Sequence, residues 1–217
     1  MSKLWIYGDS YAASFNYLPP DVTPWTRQVS EKLNLEYINK GEHGSSLDYM
    51  IHESINDAPN FKSEDTCIFV LTQINRSWQI ANDPGQSYLS NREYNIDHHA
   101  MLRKSNLLCW IHAMENYTNH FKIKPIIIPA WDPEISYRPK NIGWANGELS
   151  KASLDEIIFP HNKKKEHPTT ECRLNHLSLC NHNKLSEMVY NWFIKQTIVD
   201  CENLNKMIIP LSDFPST

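Results

Sequence analysis

Glycine is the scarcest structural resource in this chain. Six glycines occupy 217 positions, where average usage near 7% would place about fifteen. That shortage excludes glycine-rich repeats, collagen-like segments and flexible linkers. Long apolar runs are missing as well. Nothing approaches the roughly 18 consecutive apolar residues of a membrane span, and no charged n-region followed by an apolar h-region precedes Lys3-Leu4-Trp5-Ile6-Tyr7. No membrane partner and no signal peptide are expected, which points to a cytoplasmic setting. Five cysteines, an odd number, form no Cys-x-x-Cys pair. They suit a reducing compartment better than a disulfide framework. Basic stripes are absent too: net charge is −4, and Lys163-Lys164-Lys165 is the one notable basic run. No nucleic-acid partner is expected.

What is present is ordinary for a globular domain, at 41% hydrophobic and 21% charged residues. Short apolar runs alternate with helical spacings. Strands are expected at 3–7, 35–38, 66–72 and 125–128, the third of them uninterruptedly apolar, as in a strand covered on both faces. Helices are expected at 25–33, with Thr23 as N-cap and Pro24 at the first position, and at 46–55, where Leu47, Ile51 and Ile55 recur four apart. A long helix should cover 98–121 with Met101, Leu108, Ile111, Met114 and Tyr117 on its apolar face. A last one should cover 183–197. This alternation predicts a single three-layer α/β/α domain over 1–217 with a mostly parallel sheet of about five strands. Two polar stretches, 77–97 and 130–170, interrupt it as long insertions. Trp78, Trp131 and Trp144 fall in or beside them, either walling a cleft or packing the insertions onto the sheet.

Four short motifs follow predicted elements. Gly8-Asp9-Ser10 ends the first strand, where α/β sheets bind ligands, and Asp9 is expected to tie that turn to nearby backbone amides. Asn39-x-Gly41-x-x-Gly44-Ser45-Ser46 follows the second strand and opens a helix, so a backbone amide there can face an anion. Gln73-Ile74-Asn75 ends the third strand, and Asn175-His176 precedes the final helix. Serine, glycine amide, asparagine and histidine in this order compose what an acyl-transfer site needs.

This pattern resembles the SGNH (GDSL) hydrolase superfamily of esterases and lipases, through four blocks from residue 4 to about 195. The resemblance implies the flavodoxin-like SGNH fold and a serine esterase working through an acyl-enzyme. Ser10 matches the nucleophile and His176 the base, while Ser10, Gly44 and Asn75 match the oxyanion hole. His182 stands where the family often has a Gly-His pair. The implied partner is a small-molecule or carbohydrate ester, such as an O-acetyl group, with no cofactor.

Two positions depart from the pattern. Gln73 replaces the glycine that precedes the family's asparagine, and Arg173 stands where the family's Asp-x-x-His block has its aspartate. Either a backbone carbonyl or another acid such as Glu171 then orients His176. Otherwise the chain is a degenerate hydrolase fold serving as a binding or structural module. No metal is expected either. His161, His167, Cys172, His176, Cys180 and His182 crowd together, but Cys-x₃-His-x₃-Cys-x-His matches none of the common zinc spacings.

Overall fold

The computed structural model describes residues 2–13, 23–74, 96–152, 177 and 179–204. Its elements are β1 (Lys3–Tyr7), α1 (Trp25–Leu33), β2 (Glu36–Asn39), α2 (Leu47–Asp57), β3 (Thr66–Leu71), α3 (Ile96–Phe121), β4 (Lys124–Pro129), β5 (Gly143–Trp144) and α4 (Leu179–Lys195). Among the described residues the five strands make one sheet, ordered β2-β1-β3-β4-β5, with every pairing parallel. This is the flavodoxin-like order.

The alternation of side chains along each strand separates two cores. Leu4, Ile6, Ile68, Val70, Ile126 and Ile128 face one way, against Trp25 and Val29 of α1 and Leu185, Val189 and Phe193 of α4. Trp5, Tyr7, Phe69, Leu71 and Ile127 face the other way, against Leu47 and Met50 of α2 and Leu107, Ile111 and Met114 of α3. The result is the expected three-layer α/β/α architecture. Tyr7 stacks on Phe69 across β1 and β3 at 5.3 Å between ring centroids, in register with it.

Several local expectations are corrected. Thr23 does not cap α1: the N-cap position is Pro24, with no side-chain cap bond. The Trp25 amide instead donates to His182 Nδ1 at 3.1 Å, so a residue of α4 satisfies the helix start. In α2 the inward face is Leu47, Met50 and Ser54, and Ile55 is 58% exposed. At 100° per residue, Ile55 has turned about 80° from Leu47, while Ser54 lies about 20° from it on the other side. Ser54 is tolerated there because its hydroxyl accepts from Trp110 Nε1 at 2.9 Å and donates to the Ile51 carbonyl at 2.8 Å. In α3 the inward stripe is Leu107, Trp110, Ile111 and Met114; Met101, about 120° round the helix from Leu107, is 60% exposed.

The fifth strand falls inside the stretch 130–170. β5 pairs only Ile126 and Ile127 of β4, so Pro125 and Pro129 lie beyond its ladder and their missing amides are not needed there. Ile135, Ile142, Ala145, Leu149 and Ala152 are all buried, which makes 130–152 a packed part of the domain. Residues 153–170 lie outside the described residues, as does 77–95 with Trp78; 96 and 97 already belong to α3.

The α3 stripe is directly testable. Ile111→Ala should lower unfolding free energy by about 2–5 kcal/mol, whereas Met101→Ala should stay within about 0.5 kcal/mol of wild type. Urea unfolding followed by tryptophan fluorescence measures both.

Candidate active site

The order 2-1-3-4-5 places the topological switch between β1 and β3, and the segments leaving those two strands form the lips of the crevice where such sheets take ligands. Ser10 lies on one lip, three residues past β1. The turn carrying it is built by backbone: the Ala12 and Ala13 amides both donate to the Asp9 carbonyl at 2.9 Å. Gly8 begins the turn at φ +146, a conformation L side chains rarely adopt. An added Cβ would also lie 2.7 Å from both Val70 Cβ and the Val70 carbonyl oxygen. Glycine is required there on both counts.

Asp9 holds the two lips together. Its carboxylate is fully buried, yet both oxygens are engaged. Oδ1 accepts from the Tyr11 amide at 3.0 Å, and Oδ2 accepts from the Thr72 hydroxyl at 2.9 Å. Thr72 is the first residue after β3, so the Asp9–Thr72 bond spans the switch point itself. Tying the turn to a backbone amide was expected of Asp9; the bridge to Thr72 was not.

The segment after β2 closes on the same turn. The Gly8 carbonyl accepts from the Glu42 amide and from the Ser45 hydroxyl, both at 3.0 Å. The Asn39 side chain accepts from the Gly41 amide at 2.7 Å and donates to the Ala12 carbonyl at 2.8 Å. Gly44 follows at φ +65, with open space where a Cβ would stand. Ser46 then caps α2, its hydroxyl accepting from the Tyr49 amide at 3.3 Å. The Gly8-Asp9-Ser10 and Gly41–Ser46 motifs are thus one hydrogen-bonded unit.

Tyr11 and Trp25 anchor the far side of the turn. Trp25 Nε1 donates to the Tyr11 carbonyl at 2.8 Å, and the Tyr11 ring meets Trp131 edge-on at 5.2 Å. His182 Nδ1 is the acceptor at the start of α1. Just before Gly8, burial and then the neighbouring Cys67 and Asp57 push the Tyr7 phenol well above the ordinary tyrosine range. It stays protonated and donates to Asp57 at 3.2 Å. On α2, burial, followed by Glu53, Glu42 and Asp57, pushes Tyr49 up to about 12.

Ser10 is 8% exposed. Asn75, Glu171 and His176 lie outside the described residues. Their neighbours are described: Ile74 is buried against the α2–α3 side, and Leu177 is buried in the core that also contains Tyr11, Ala12 and Trp25. Gln73, at the departed glycine position, is exposed.

Further along the same sheet edge, a cleft of about 820 Å³ opens beyond β4 and β5, lined among others by Asp132, Arg138, Trp144, Lys151 and Asp200. Trp144 lies 4.0 Å beneath the Arg138 guanidinium and packs on the α2–α3 core; Trp131 packs on the opposite core.

No protein-family model and no curated protein sequence matches the chain. Among solved structures, it is similar to a "putative lipolytic protein of G-D-S-L family" from Desulfitobacterium hafniense. The match has 14% identity and a TM-score of 0.47, covering 88% of this chain and 99% of the other. Among the described residues no helix is long and apolar enough to cross a membrane.

The bridge at the switch point generates a stability prediction. Asp9→Ala leaves two buried donors without an acceptor and should cost about 3 kcal/mol or more. Thr72→Val removes one charge-assisted bond and should cost about 1.5–3 kcal/mol. Wild-type denaturation midpoints for both variants would contradict this account of the crevice.

Proposed function

We propose that the chain is a serine esterase of SGNH type. The observation that carries this reading is the placement of Ser10. It stands on a rigid turn at the switch-point end of β1, bonded as one unit to the loop that presents the Gly44 backbone. Nucleophile and oxyanion donors must be held together in this way for acyl transfer.

In the proposed reaction Ser10 Oγ attacks an ester carbonyl while His176 accepts its proton. The Ser10 and Gly44 amides and the Asn75 side chain stabilise the oxyanion of the tetrahedral intermediate. Collapse breaks the acyl–oxygen bond, and His176 returns the proton to the departing alcohol. Water, deprotonated by His176, then attacks the acyl-enzyme and releases a carboxylic acid and free Ser10. Arg173 leaves the imidazole to be oriented by a backbone carbonyl or by an acid such as Glu171. A serine–histidine pair without the aspartate still makes the nucleophile–base contact, at reduced rate.

The alcohol portion of the substrate is a small or carbohydrate-linked group. This part of the reading rests on the breadth of substrates that the resemblance implies.

Turnover of p-nitrophenyl acetate should be measurable for wild type and should fall to the uncatalysed background in Ser10→Ala. Gly44→Ala sets an L side chain at φ +65 and should lower turnover about tenfold or more while costing about 1–3 kcal/mol of stability. A panel of acetylated sugars measured against the same control then identifies the alcohol. Equal rates for wild type and Ser10→Ala would remove the esterase and leave a binding module.

A further inference from the structure

We propose that Arg103 is a positioning residue that sets the spacing of the oxyanion-binding elements, an inference that rests on the esterase reading above. Arg103 lies on α3, with its side chain 13% exposed. Its Nε donates to Asp48 Oδ2 at 3.3 Å, and its Nη1 donates to the Ile74 carbonyl at 3.1 Å. Asp48 is the second residue of α2, four positions after Gly44. Ile74 immediately precedes Asn75. One guanidinium therefore joins the start of α2, four positions after Gly44, to Ile74, the last described residue before Asn75.

These segments have no direct pairing in the sheet. The first follows β2 and the second follows β3, and β1 lies between those strands. Among the described residues, the bonds reaching from the Ser10 turn to each side fix each segment to that turn: Glu42 and Ser45 on one side, Thr72 on the other. Arg103 closes the triangle from the helix layer, linking the two outer segments to each other. The buried Ile74 side chain, in the same core as Leu107 on the next turn of α3, places this linkage against a packed surface.

The chemistry suits arginine. The bridge needs two donors in a fixed planar relation, one aimed at a carboxylate and one at a carbonyl, which a guanidinium supplies and an ammonium does not. Oxyanion donors act through preorganisation, and a displacement of about 1 Å can cost about 10²-fold in rate. Loosening the bridge should thus weaken transition-state binding and leave ground-state binding intact.

The experiment compares wild type, Arg103→Met, Arg103→Lys and Ser10→Ala on p-nitrophenyl acetate, with active sites counted by fluorophosphonate titration and folding followed by thermal melting. Both arginine variants should lose about 10–100-fold in kcat per titrated site, with KM within about twofold. The inhibition constant of phenylboronic acid, whose serine adduct places an oxygen in the oxyanion hole, should rise by the same factor as kcat falls. If Arg103→Met does not fold, Arg103→Lys carries the test, because it keeps the charge and stem but cannot bridge both acceptors. Wild-type kcat per titrated site in the folded variants overturns the inference and leaves the esterase intact. So does a loss that follows the folded fraction alone, or a loss in kcat with unchanged boronate affinity. Absence of Ser10-dependent turnover in wild type overturns the esterase reading, and the inference with it.

Discussion

The crevice depends on one buried carboxylate. Asp9 is fully enclosed at the end of β1, where an unpaired charge would cost several kcal/mol. Its demand for donors is met by the Tyr11 amide within its own turn and by the Thr72 hydroxyl across the switch point. That requirement dictates the geometry around it. The chain must double back so that Tyr11 points its amide inward, and glycine must precede because Val70 leaves no room for a Cβ. The end of β3 must stand close enough for Thr72 to reach. Ser10, between Asp9 and Tyr11, is carried into position by constraints that its neighbours satisfy.

The two packed layers extend this rigidity outward. On one side α1 and α4 hold the turn through Trp25, whose indole binds the Tyr11 carbonyl and whose amide is satisfied by His182. On the other side α2 and α3 hold the segments after β2 and β3 through Ser46, Asp48, Ile74 and Arg103. The Ser10 turn and the segments leaving β2 and β3 are thus braced from both helix layers.

Much of this was legible in the sequence because it depended on local chemistry. Uniform apolar runs announced buried parallel strands, and Gly8 and Ser46 announced a turn and a helix start through their residue types alone. The Asx turn that Asn39 makes with Gly41, and its second bond to Ala12, emerged only with the fold. What escaped was long-range. Thr72 looked like the end of a strand, and its bond to Asp9 spans 63 positions. His182 stood where the family often has a Gly-His pair, and its bond to the start of α1 spans 157 positions. Arg103 carried no motif at all. β5, two residues long, was too short for any periodicity to reveal; of the residues read onto the apolar faces of α2 and α3, Ile51, Leu108, Ile111, Met114 and Tyr117 do reach the core, while Ile55 and Met101 turn out to solvent.

The most direct measurement of the central claim is the site of covalent modification by a fluorophosphonate on the folded protein, mapped by peptide mass spectrometry. The expected result is a single stoichiometric adduct on the peptide bearing Ser10, lost when the protein is unfolded beforehand and much slower to form in His176→Ala. No adduct, or an adduct on a different serine, would contradict it.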